Sequence, residues 1–168
     1  MADLLLSNQF YGGIVAIGDN FTRWQMYERI KSIAPEFKFI STIHPNAIIG
    51  RDISISEGSV IMAGVAIGPC SLINRFCILN TNSSLDHDSI MEDFSSLAPN
   101  VATGGNVTIG EFSAVCIGAN ISNGIRIGEH SVIGAGATVI DDIASYKVAY
   151  GIPAKVVRDR HPGDKYLN

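Results

Sequence analysis

From Ile43 onward the chain repeats every six residues. Stepping by six meets Ile43, Ile49, Ile55, Ile61, Ile67, Ile73, Leu79, Leu85, Met91, Leu97, Thr103, Ile109, Val115, Ile121, Ile127, Ile133 and Val139. Sixteen of these seventeen positions are aliphatic and no insertion breaks the register. Four residues further on, a second column runs from Ala47 through Ser59, Ser71, Cys77, Ser89 and Ser113 to Ile143, and every member is small or β-branched. Glycine directly follows the aliphatic position at Gly50, Gly68, Gly104, Gly110, Gly128 and Gly134. An amphipathic helix cannot produce this, because its apolar stripe recurs every 3.6 residues. Six is a multiple of the strand period of two, so the pattern predicts short strands joined by sharp corners. The aliphatic residue points inward and the small residue fits the corner. Three hexads make one triangular coil, and coils stacked at strand spacing build a prism about 27 Å tall.

The flanks break the pattern. Ile14 to Gly18 read as a strand ending in glycine. Asp19 or Asn20 is placed to cap a helix carrying Met26, Tyr27, Ile30, Ile33 and Ala34 on one face, and Pro35 stops it. Phe37 to Ser41 read as a second strand, completing a short α/β unit too small to fold alone. Stacked coils leave open ends, so the flanks are the natural caps. The expected division is therefore 1–42, an α/β cap; 43–144, the β-helix; and 145–168, a turn followed by a charged, solvated tail.

Composition narrows the function classes. The chain has 168 residues, of which 46% are hydrophobic and 17% charged, with a net charge of −4. No basic run exists to track a phosphate backbone, which argues against nucleic acid. No apolar stretch reaches the roughly 18 residues of a membrane span. Met1 to Ser7, with Asp3 and only a small apolar block, does not read as a signal peptide. Three cysteines, at 70, 77 and 116, form no CxxC and suggest reduced thiols in a cytoplasmic protein.

Among the four histidines, His87 stands apart. His44 sits beside Pro45 at the coil entrance, His130 falls on a surface position of its hexad, and His161 is in the tail. His87 lies in Leu85-Asp86-His87-Asp88, in neither interior column, with a carboxylate on each side. A neighbouring carboxylate raises imidazole basicity and fixes its tautomer, as a general base near neutral pH requires. Because adjacent strand residues face opposite ways, Asp88 reaches the ring only if the chain turns there. Otherwise His87 is a solvated surface residue. No two histidines lie closer than 31 residues apart, so no metal site is expected.

The hexads resemble the hexapeptide-repeat proteins, whose fold is a left-handed parallel β-helix. Asn80-Thr81-Asn82-Ser83-Ser84-Leu85-Asp86-His87-Asp88, Gly104-Gly105-Asn106-Val107-Thr108-Ile109-Gly110, Ala16-Ile17-Gly18-Asp19-Asn20 and Gly151-Ile152-Pro153-Ala154-Lys155 together resemble one branch of that family. It is the sialic-acid O-acetyltransferase-like (PglD-type) sugar acyltransferases. The resemblance implies acetyl transfer from acetyl-CoA to a nucleotide-linked amino sugar, in a homotrimer with active sites between prisms. It implies His87 as general base and Asp88, usually glutamate in the family, as its partner. Gly18 and Asn80 match substrate-pocket residues. Ser96, Gly105, Ile117, Ala135 and Lys155 match the cofactor side, with Ser96 standing where many members carry histidine. The family's glycine-rich amino-terminal segment has no counterpart in this reading, which leaves O-acetylation of a free sugar such as sialic acid as an alternative. A non-catalytic scaffold is the third.

Overall fold

The computed structural model describes residues 11–166; Met1 to Ser7, read above against a signal peptide, lie outside them. Two-residue strands recur every six residues and form three parallel sheets. The first sheet stacks β1 (Thr42–Ile43), β4 (Val60–Ile61), β7 (Ile78–Leu79), β10 (Ser96–Leu97), β13 (Ala114–Val115) and β16 (Val132–Ile133). The second stacks β2 (Ile48–Ile49), β5 (Ala66–Ile67), β8 (Ser84–Leu85), β11 (Ala102–Thr103), β14 (Asn120–Ile121) and β17 (Thr138–Val139). The third stacks β3 (Ser54–Ile55), β6 (Leu72–Ile73), β9 (Ile90–Met91), β12 (Thr108–Ile109) and β15 (Arg126–Ile127). Each strand pairs with the one eighteen residues on, as Thr42 does with Val60. The aliphatic column fills the prism, and the small column closes its corners.

The small column is also polar where the corner needs it. Ser59 Oγ donates to Asn74 O (2.8 Å) and accepts from Cys77 N (3.1 Å). Ser113 and Ser131 repeat the arrangement further up the same corner. A hydroxyl thus pairs backbone groups that the turning chain takes out of the sheet ladder. Cys77 takes a serine place in this column and is fully buried; burial pushes its thiol up to about 12, so it is filler and no nucleophile.

From Asp52 to Gly136 each corner carries one residue with positive φ, between 52° and 73°. Where that residue is not glycine, something must offset the left-handed backbone. At the corner joining the third sheet to the first it is a stack of rings. Phe76, Phe94, Phe112, His130 and Tyr146 lie over one another at 4.9, 5.4, 4.5 and 5.1 Å between centroids, with interplanar angles of 18° or less. The spacing follows the coil rise of about 4.8 Å. His130, expected on the surface, is therefore only 8% exposed. Stacking between Phe112 and Tyr146 takes it out of solvent, and burial lowers its pKa.

The amino-terminal unit docks on this corner. Its helix α1 (Asn20–Ile33) starts at Asp19, whose carboxylate accepts from Thr22 N at 2.8 Å. Tyr27 packs on Phe76, and Trp24 meets Phe112 edge-on. The two expected flanking strands are absent: one parallel bridge, Gly13 to Phe39, is all that forms. The unit also does not cap the first coil among the described residues, because Ile48 is 69% exposed and Ile43 and Ile49 are exposed with it. The aromatic corner offers α1 a larger apolar partner than the end of the prism does.

Arg23 fixes the docking. It is 0% exposed. Its guanidinium donates to Phe76 O (3.0 Å), Phe94 O (3.1 Å), Ile17 O (2.9 Å), Gly18 O (3.0 Å) and Asn20 Oδ1 (2.8 Å). Asn20 Nδ2 takes the next carbonyls up, Phe112 O and Ser113 O, and Arg160 Nη1 takes His130 O. Carbonyls turned outward at successive coils are thus claimed one after another. Arg160 is itself buried, which corrects the expectation of a charged, solvated tail after the turn. Before it, β18 (Lys147–Gly151) and β19 (Ala154–Asp159) form an antiparallel hairpin on the first sheet.

Arg23→Met removes the shared donor and leaves Phe76 O and Phe94 O without partners. Its expected cost is roughly 2–4 kcal/mol in denaturant unfolding. Trp24, the one tryptophan, then shifts to a solvent-exposed emission before the β-helix unfolds. Unchanged emission and midpoint would show that Arg23 anchors nothing.

Candidate active site

His87 stands where the second sheet turns into the third. Asp88 has φ of 55°, and that turn brings its carboxylate back to the imidazole, with Nδ1 and Oδ2 2.8 Å apart. A carboxylate only accepts, so Nδ1 carries the proton, and in the neutral ring Nε2 keeps its lone pair. The hydrogen bond that the ring donates to Asp88 holds the imidazole pKa above the usual histidine value, with desolvation opposing and Asp86 and Asp88 adding electrostatically. Asp86 Oδ1 also accepts from His87 N at 2.8 Å.

Two glycines make room for this corner. A Cβ on Gly105, in the coil above, would lie 2.5 Å from His87 Cε1 and Nε2, so the ring rests directly on the Gly105 backbone. A Cβ on Gly68, in the coil below, would lie 2.4 Å from His87 N. Gly104 N–H is committed to Ile121 O, whereas Gly105 N–H donates to no acceptor among the described residues.

A groove of about 310 Å³ lies elsewhere, along the first sheet. Ile78, Ser96 and Ala114 form its floor, Asn80, Pro99 and Ile117 one wall, and Gly18 and Tyr166 the other. The Tyr166 hydroxyl accepts from Asn20 N and donates to Gly18 O, so the carboxy-terminal segment helps build this wall. The lining is mostly apolar, as in small-molecule sites generally.

Among solved structures, a histidine-to-alanine mutant of the GDP-perosamine N-acetyltransferase from Caulobacter crescentus, in complex with CoA and GDP-perosamine, is 34% identical. It superposes with a TM-score of 0.85 over 90% of this chain and 71% of that one. The acetyltransferase domain of PglB from Neisseria gonorrhoeae, in complex with acetyl coenzyme A, is 32% identical, with a TM-score of 0.87 over 94% of this chain and 77% of that one. This chain belongs to the hexapeptide-repeat sugar N-acetyltransferases. WeeI from Acinetobacter baumannii, at 20% identity and a TM-score of 0.77 over 92% and 75% of the two chains, shares the fold. No family model matches the chain.

Within this acetyltransferase the residues singled out from sequence fall into two groups. His87, Asp88 and Gly105 meet at one corner. Gly18, Asn80, Ser96 and Ile117 meet in the groove. Ala135 sits one coil above Ile117 and is exposed, and Lys155 lies on β19, 4.0 Å from Asp141; neither belongs to either group. Tyr166 was missed, because nothing in a short charged tail marks a residue that folds back. Thr103 was visible as the lone polar member of the interior column, but its neighbour across the coil was not. Among the described residues no three His, Cys, Asp or Glu side chains converge on a metal position, and no helix is long and apolar enough to cross a membrane.

Because the Asp88 hydrogen bond is the largest cause of the raised His87 pKa, Asp88→Asn returns it toward the ordinary histidine value. An NMR titration of the imidazole checks this. A pKa that does not fall would mean that Asp88 is not what holds the ring.

Proposed function

We propose that this chain is a cytoplasmic enzyme that acetylates the amino group of a nucleotide-linked sugar with acetyl-CoA. The observation that carries the proposal is the His87–Asp88 pair seated on Gly105 at an open corner. His87 Nε2 accepts the proton as the sugar nitrogen attacks the thioester carbon. The new C–N bond forms, the tetrahedral intermediate collapses with loss of the C–S bond, and CoA thiolate takes the proton back. Asp88 stabilises the imidazolium in between. Gly105 N–H is the free donor beside the ring for the developing oxyanion, a contribution often of about 3–4 kcal/mol. Acetyl transfer is direct, with no covalent enzyme intermediate. The relatives' bound GDP-perosamine, CoA and acetyl-CoA support the choice of donor and of acceptor class.

The position of the groove supports assembly. In a triangular prism, the corner between the second and third sheets lies opposite the first sheet. His87 and the groove therefore sit on opposite sides of one chain, and a single copy does not bring them together. We read the enzyme as a homotrimer in which His87 of one copy faces the groove of its neighbour. Each cleft then gains the second wall that an exposed histidine lacks. Gly18 and Asn80 in the groove hold the nucleotide sugar, and Ser96 and Ile117, with Ala135 and Lys155 above them, follow CoA.

CoA release is measured against GDP-, UDP- and dTDP-linked amino sugars and free sialic acid, with product mass locating the acetyl group. Turnover on a nucleotide amino sugar is expected, with His87→Ala lowering kcat by roughly 10²–10⁴-fold while acetyl-CoA still binds. The neutral imidazole is the active form, so kcat/KM falls as pH drops through the raised His87 pKa, and Asp88→Asn moves that limb to lower pH. Activity on the free sugar alone would overturn the acceptor. Failure to bind acetyl-CoA would leave a scaffold.

A further inference from the structure

We propose that Thr103 is a positioning residue for His87, a role that rests on His87 being the base. Thr103 is the one polar member of the interior aliphatic column and is buried. It lies in the coil above His87, at the end of β11. Its Oγ1 accepts a hydrogen bond from Asp86 N at 3.1 Å. At this corner in other coils, the equivalent N–H donates to the backbone carbonyl seventeen residues on: Gly50 to Ile67 O, Gly68 to Leu85 O, Gly104 to Ile121 O and Ser122 to Val139 O. At Asp86 the hydroxyl has replaced the carbonyl.

The sheet registers the exchange. Strand β8 pairs with β11 through Ser84 and Ala102 alone, whereas neighbouring pairs such as β5 with β8 and β11 with β14 match both residues. The missing match is Leu85 with Thr103, so the ladder is interrupted at the step between the His87 corner and Gly104-Gly105. Two things follow. Asp86 N–H is held by a side chain, and Asp86 Oδ1 in turn accepts from His87 N. The Thr103 carbonyl is released from the ladder two residues before Gly105, on which the imidazole rests. An aliphatic residue at 103 returns the Asp86 N–H to the carbonyl and restores the regular ladder. That moves Gly105 relative to Nε2. Positioning errors of about 1 Å at a reacting group cost up to about 100-fold in rate.

Thr103→Val keeps the volume of the column, which holds valine at Val115 and Val139, so the β-helix is expected to form. Thr103→Ser keeps the hydroxyl. Both are compared with His87→Ala in steady-state acetyl transfer across pH. Thr103→Val is expected to lower kcat by about 10–100-fold, with KM for acetyl-CoA changed by less than about twofold, and Thr103→Ser to recover most of kcat. A Thr103→Val enzyme with wild-type kcat, beside an inactive His87→Ala, overturns the positioning role and leaves the base intact. Loss of kcat that serine does not rescue, or that comes with an equal loss of acetyl-CoA binding, assigns Thr103 to stability and overturns the proposal too. Turnover surviving in His87→Ala overturns both readings at once.

Discussion

The eighteen-residue coil is the constraint on which the rest of this structure depends. Parallel pairing from coil to coil holds each hexad position directly above its equivalent. One residue type per position therefore becomes a continuous column. The aliphatic column is the core, the serines are corner braces, and the rings at Phe76, Phe94, Phe112, His130 and Tyr146 are a stack whose spacing the backbone has already set. The same register turns a row of carbonyls outward beside the rings. Arg23, Asn20 and Arg160 read that row and bring the two flanking segments to the prism. Through Gly18 and Tyr166, those segments then complete the groove on the first sheet.

A regular column also makes any departure from it conspicuous. Gly105 leaves space for the imidazole, Asp88 turns its carboxylate back through a left-handed backbone, and Thr103 takes an N–H out of the ladder. All three lie within one coil step of His87. The polar corner they build is half-exposed, while the apolar groove faces away from it on the far side of the prism. In the proposed trimer this division is the reason for assembly: each copy lends a reactive corner to one neighbour and a binding groove to the other.

The β-helix was legible because one backbone geometry repeats and each hexad reports on it. The His87–Asp88 contact was legible because a carboxylate directly follows the histidine where the hexad turns. The ends were not. The Ile14–Gly18 and Phe37–Ser41 runs look like strands, yet they pack through Val15 and Phe39 against rings whose alignment no local pattern reveals. His130 looked solvated for the same reason: its partners are Phe112 and Tyr146, eighteen and sixteen residues away. In a tail rich in charge, Arg160 is buried and Tyr166 half-buried, both held by hydrogen bonds to residues more than a coil distant.

The most direct test of the central claim is subunit complementation. His87→Ala chains and chains with the groove blocked by Ala114→Trp are each expected to be inactive. Unfolded together and refolded as mixed assemblies, they should recover about a quarter of wild-type turnover, the share of clefts that random mixing gives two intact halves. No recovery from mixed assemblies, with each variant folded and the assemblies formed, would contradict a site shared between copies.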